Sequence, residues 1–285
     1  MNLPALRAPR RPFLCLSILC FVASMAWGCA VEPITGRWTL APVPESTTSP
    51  MGAQAYQEIL KDAKISNDAA ANEMVSRVGK RIAAVTDAHM KEDSREPFQW
   101  EFKVIDDPKT INAWCLPGGK VAFYTAILPV CKDENGIAVV MGHEVAHAYA
   151  QHGGRRMSEQ GVANVGLQAV ALALGGEGAS DTAKLTVAAL GVGYQVGVQL
   201  PFSRGDESAA DYIGLMLMSE AGYDPRASVE FWKRMIEATG GAGTPEFLST
   251  HPDPSNRIQR LEELMPKALE IYENSKAKGG AAQIP

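Results

Sequence analysis

The sequence predicts an α+β protein that is mostly α, and three observations carry that prediction. Several stretches rich in Ala, Glu and Lys repeat apolar residues at three- and four-residue spacing, the period of a helix with one buried face. Only two short segments, about 97–105 and 114–124, read as strands. With 46% apolar and 21% charged residues, the chain has the composition of an ordinary globular protein, long enough for one substantial core. A formal charge of −5 provides no basic face for phosphate backbones, so nucleic acid is not an expected partner.

Residues 1–28 look like an export signal: Arg7, Arg10 and Arg11 precede the apolar run Phe13 to Ala26, with no acidic residue before Glu32. Arg10-Arg11-Pro12-Phe13-Leu14 also suits a twin-arginine export motif, although a simple basic leader explains the same residues. Removal of the three arginines takes the formal charge from −5 to −8. Ala26-Trp27-Gly28-Cys29 resembles a lipoprotein processing site, with Cys29 as the lipid-bearing residue and membrane attachment as the consequence. Cleavage by an ordinary signal peptidase after Gly28 is the alternative. Once Cys15, Cys20 and Cys29 are set aside, Cys115 and Cys131 can form one disulfide or stay two buried thiols.

From 29 to 50, four prolines and the run Ser46-Thr47-Thr48-Ser49 read as a tether that need not fold. The main domain is expected over 51–275. It starts with helices at about 54–64 and 69–85, followed by a polar loop that contains His89. Phe98, Trp100, Phe102 and Val104 alternate as a half-buried strand, and Pro117-Gly118-Gly119 marks a turn between paired strands. Residues 161–200 are rich in Ala, Val, Leu and Gly. Glu177, Asp181 and Lys184 interrupt the run, which reads as two packed helices or a lid rather than a membrane span. Helices are expected at 206–221 and 225–239, split by Gly222-Tyr223-Asp224-Pro225, and at about 254–274; 276–285 should fray.

His143-Glu144-Val145-Ala146-His147 is the chemical centre. Residues four apart on a helix stand about 40° apart around its axis, so both imidazoles reach one metal ion with Glu144 beside it. Asp133 is the expected N-cap, and Gly153-Gly154 the expected end of that helix. A catalytic zinc needs a third protein ligand and an open fourth position. Ser203-Arg204-Gly205-Asp206-Glu207-Ser208-Ala209-Ala210-Asp211 supplies the best candidate: Glu207 as ligand, with Asp211 one turn later to accept the second ring N–H of a ligand histidine.

With these residues in view, the chain resembles the family-48 zinc metallopeptidases, the group of HtpX-like, mitochondrial Oma-like and CAAX-prenyl proteases, in a bacterial periplasmic lipoprotein form. The resemblance spans about residues 55 to 265 in four ordered blocks: Asn112 to Gly119, the histidine motif, Ser203 to Asp211, and Thr250-His251-Pro252 with Arg257-Ile258. It implies a gluzincin-type zincin fold with a small sheet whose edge strand precedes the histidine helix. It also implies one Zn²⁺ held by His143, His147 and Glu207, with Glu144 as general base. Asn112 and Ala113 would bind an extended substrate by strand addition. His251 has three readings: donor to the oxyanion, fourth zinc ligand in a latent state, or helix cap; its removal is expected to lower cleavage without loss of zinc. Gly136, Gly142 and Trp114 depart from the family pattern; Trp114 is expected to alter pocket shape.

His152, nine residues from His143 and about 180° around the helix, should face away from the metal. Arg204 and Arg257 are expected to be structural or to support the transition state, since guanidinium does not ligate zinc. Together these readings describe an exported zinc endopeptidase, on the periplasmic side of the outer membrane or soluble in the periplasm. It would act on unfolded or misassembled envelope polypeptides. A chaperone-like module that grips extended chains, and a zinc aminopeptidase, are the competing functions.

Overall fold

The computed structural model describes residues 29–31, 38–160, 201–239, 246–251 and 256–277. Residues 1–28, the 161–200 run and residues 278–285 lie outside the described residues, whereas Lys276 and Ala277 of the expected tail belong to the last helix. Two short strands, β1 (Cys29–Val31) and β2 (Trp38–Leu40), pair antiparallel within a separate N-terminal unit that ends at Ala41.

The main unit begins with α1 (Glu45–Asp62) and α2 (Ala69–Glu92). Helix α1 thus starts well before the expected residue 54, and residues 45–50 of the expected tether are its first turns. Pro50 is accommodated inside it, despite the backbone donor it lacks. Asp68 caps α2 by accepting from Ala71 N. That helix continues to Glu92 because its apolar period does: Val75, Val78, Ile82, Val85 and Met90 are all buried. His89 therefore lies on its last turn, half-buried and 2.8 Å from Glu220, not in a loop.

Strands β3 (Glu101–Ile105), β4 (Ala113–Leu116) and β5 (Lys120–Tyr124) form one sheet in the order β3-β5-β4, with β3 parallel and β4 antiparallel to β5. The turn between β4 and β5 needs Gly118 and Gly119, whose φ values of 82° and 79° favour glycine. Strand β4 is an edge strand, and its side chains alternate between two cores. Ala113 and Cys115 join the main core, while Trp114 and Leu116 meet Ala55 and Tyr56 of α1. The Trp114 and Tyr56 rings meet edge-on at 5.9 Å, so Trp114 anchors α1 instead of shaping the metal pocket. Cys115 and Cys131 are separate, buried free thiols, the second of the two alternatives open from the sequence. Each belongs to the main core, where burial pushes its pKa up.

A short helix α3 (Leu128–Cys131) leads into α4 (Glu134–Tyr149), capped by Asp133 through Gly136 N at 3.1 Å. After the 161–200 run come α5 (Arg204–Glu220), α6 (Ala227–Thr239), α7 (Glu246–Thr250) and α8 (Arg257–Ala277). No described helix is long and apolar enough to cross a membrane. Both unusual glycines of α4 answer to close backbone approaches. A Cβ at Gly136 would fall on the Cys131 carbonyl, and one at Gly142 would lie 2.7 Å from the Gly214 carbonyl oxygen of α5. The glycine pair 142 and 214 lets α4 and α5 cross in backbone contact, one residue before His143.

Candidate metal centre

Helix α4 is buried almost all round, with Ile137 to Ala148 inside, so the two histidines and Glu144 project into protein rather than water. Helix α5 starts on a capping box: Ser203 Oγ accepts from Asp206 N, and Asp206 Oδ2 from Ser203 N. This start, together with the glycine crossing, brings Glu207 and Asp211 against His143 and His147. His251, directly after α7, completes the group: His143, His147, Glu207 and His251 are buried and offer donor atoms within 4.8 Å of one another.

Their spacing tests whether zinc fits. His143 Nε2 is 3.2 Å from His147 Nε2 and 3.2 Å from His251 Nδ1. Glu207 lies 3.5 Å from His143 Nε2, 3.4 Å from His147 Nε2 and 3.0 Å from His251 Nδ1. Donors 2.0–2.1 Å from a tetrahedral zinc are about 3.3 Å apart, so these separations are those of tetrahedron edges. The chemistry fits as well. Ring nitrogens aimed at each other in a buried site repel unless a cation or proton sits between them. Burial drives the His147 imidazole far below its ordinary range, leaving it neutral with a lone pair to offer. Burial opposes a charge on His143 too, yet Asp211 and Glu207 hold it up to about 9, which shows how strongly the site favours positive charge. The Glu207 carboxyl stays ionised: burial raises its pKa, but His251 and its histidine hydrogen bonds pull it well below the usual range.

Supporting contacts surround the donors. Asp211 Oδ1 lies 3.1 Å from His143 Nδ1, the nitrogen turned away from the donor group. Arg257, fully buried, bonds Glu207 Oε2 through Nη2 and Asp211 Oδ2 through Nε at 2.8 Å, with its guanidinium 4.1 Å over the Trp232 ring. It is linked to the metal site through these carboxylates. Glu144 is buried beside the donors. Its Oε1 makes no hydrogen bond, though His251 Nε2 is 3.3 Å away. Burial lifts the Glu144 carboxyl above its ordinary pKa, with His251 and His143 partly countering.

Two site residues escaped the sequence reading. Phe202 stacks on the His147 ring at 3.8 Å, and only its position beside the Ser203 cap hinted at it. His152 does not face away: its Nδ1 is 2.9 Å from His147 Nδ1. Helix α4 ends at Tyr149 instead of at Gly153-Gly154, and Gln151, with φ at 55°, turns the chain back so that His152 meets its predecessor. Asn112 and Ala113 open the edge strand β4, where Asn112 Oδ1 accepts from Ala113 N at 2.9 Å.

The buried group of three histidines and a carboxylate could hold a metal ion, and Glu144 lies on the same helix as two of these residues. Peptidase family M48 matches residues 69–265, and the chain belongs to that family of zinc metallopeptidases. It is 39% identical over 249 residues to the mitochondrial metalloendopeptidase OMA1 of Schizosaccharomyces pombe, covering 85% of this chain and 68% of the relative. Against the human mitochondrial metalloendopeptidase OMA1 it is 29% identical, covering 85% and 47%. The Escherichia coli beta-barrel assembly-enhancing protease is 26% identical over 234 residues, covering 79% and 46%. The chain thus spans about half the length of the latter two.

Proposed function

We propose that this protein is a zinc metalloendopeptidase of gluzincin type that cuts extended polypeptides in the cell envelope. The observation that carries the reading is the placement of Glu144, a buried carboxylate with one oxygen outside any hydrogen bond, between His143 and His147 and beside Glu207. His143, His147 and Glu207 would hold zinc, which would supply Lewis-acid polarisation of the scissile carbonyl and acidify water. Glu144 takes the proton from that water and delivers it to the leaving amine, a task eased by its raised pKa. Asp211 keeps the His143 ring turned toward the metal. Arg257 holds Glu207 and Asp211 in place and balances their charge. The edge of β4 that is not paired with β5, near Asn112 and Ala113, is buried among the described residues and would have to open to take the substrate backbone as an added strand.

The envelope location rests on the leader-like residues 1–28, with Cys29 as the lipid-bearing residue, and is supported by a bacterial relative named for β-barrel assembly. Some relatives are named mitochondrial, so the location of this chain is read from its own N-terminal residues. Substrates are unfolded or misassembled envelope proteins. Mass-spectrometric mapping of casein fragments tests the activity: internal cuts are expected, while stepwise removal from the amino terminus would make it an aminopeptidase.

A second reading concerns His251 and is favoured by its Nδ1, 3.0 Å from Glu207 and 3.2 Å from His143 Nε2. As a fourth donor beside His143, His147 and Glu207 it would take the position that water needs and would hold basal cleavage low until the ring turns away.

A further inference from the structure

His152 is the buried histidine that the mechanism above leaves unused. We propose that it is a positioning residue for the metal site: its Nδ1 accepts the Nδ1 proton of His147 and locks that ring in the tautomer that turns the Nε2 lone pair to the metal. The inference rests on the zinc reading of His143, His147 and Glu207.

Two imidazole nitrogens 2.9 Å apart form a hydrogen bond only if one carries a proton and the other a lone pair. His147 Nε2 lies among the donors, 3.2 Å from His143 Nε2 and 3.4 Å from Glu207, so a neutral His147 that serves there carries its proton on Nδ1. His152 must then accept at Nδ1 and hold its own proton on Nε2. A carboxylate oxygen, Asp206 Oδ1, lies 3.8 Å from His152 Nε2, beyond hydrogen-bond range but of the sign that favours a proton there. Arg155 fixes the same oxygen at 2.8 Å, and Asp206 Oδ2 belongs to the capping box of α5. Phe202, stacked on the His147 face, restrains the ring from tilting and leaves the edge contact with His152 to set its rotation.

The two ligand histidines are consequently unequal. His143 has a carboxylate behind it and His147 a neutral imidazole, which supports the ligand less strongly but still selects its tautomer.

Zinc affinity of the full chain, measured by competition with a chromophoric chelator, tests this with two variants. His152→Phe keeps the ring volume without an acceptor, whereas His152→Asn offers a carbonyl oxygen near the position of Nδ1. The expected result is a loss of about 10- to 100-fold in zinc affinity for the phenylalanine variant, with the asparagine variant recovering most of it. Nitrogen-15 NMR of the zinc-loaded wild type should also show His152 protonated on Nε2, a readout that stands even if a variant misfolds. Unchanged affinity in His152→Phe, an equal loss in His152→Asn, or a proton on His152 Nδ1 would overturn the proposal. A wild type that binds no zinc would overturn the metal reading along with it; one that binds zinc while His152→Phe binds it equally would overturn this inference alone.

Discussion

Gly142→Ala perturbs the distance between the two helices that share the metal. The added Cβ would lie 2.7 Å from the Gly214 carbonyl oxygen and 3.3 Å from its carbon, both backbone atoms that cannot swing aside. Ordinary contacts between carbon and carbonyl oxygen begin near 3.4 Å, so α4 and α5 must part by about 0.7 Å. Metal sites tolerate roughly 0.2 Å, and the crossing lies one residue from His143 and seven from Glu207, so Glu207 is carried out of range of the histidine pair. Overpacking costs about 1–3 kcal/mol, while alanine returns up to about 1 kcal/mol of helix propensity, so the net change in stability is small. Zinc affinity is the sensitive quantity and should fall at least about tenfold. Chelator competition measures it, with thermal melts in excess chelator as the stability control. Wild-type affinity combined with a higher melting temperature would refute the claim that this glycine contact sets the ligand spacing.

Arg257→Met leaves the buried Glu207 and Asp211 carboxylates without their counter-charge and should cost about 3–5 kcal/mol in urea unfolding of chelator-treated protein; a loss below about 1 kcal/mol would show that they are satisfied otherwise. Asp211→Asn should weaken zinc binding by about 10- to 100-fold, and unchanged affinity would remove Asp211 as the support of His143. His251→Ala should keep one zinc and raise basal casein cleavage, reversing the direction expected from sequence alone; a fall with zinc retained would assign the ring to the oxyanion.

What was legible in the sequence was whatever local spacing dictates. The histidine pair and the Glu207 and Asp211 pair each sit one turn apart on a helix, and the Asp133 cap and the glycine turn before β5 are signalled by their own residues. The failures came where a backbone reversal or a distant partner decides. Periodicity continued through His152 predicts a ring on the far face, because nothing in Ala150-Gln151 announces a left-handed residue; glutamine adopts that conformation only when the surrounding packing holds it. The first turns of α1, before residue 54, were hidden by Pro50 and the Ser46-Thr47-Thr48-Ser49 run. Its stability comes from Tyr56 and Ala55 against Trp114 and Leu116, a contact about sixty residues away along the chain. Arg257 could be excluded as a ligand from its chemistry. Its role between two carboxylates depends on α5 and α8 lying side by side.

The most direct test compares wild type with Glu144→Gln, each loaded with zinc, on an unfolded polypeptide. Wild type should bind one zinc and cut, whereas Glu144→Gln should bind the same zinc and the same polypeptide yet cleave at least about a hundredfold more slowly. Equal cleavage by the two proteins would contradict the role of Glu144, and binding without cleavage by both would leave a module that grips extended chains.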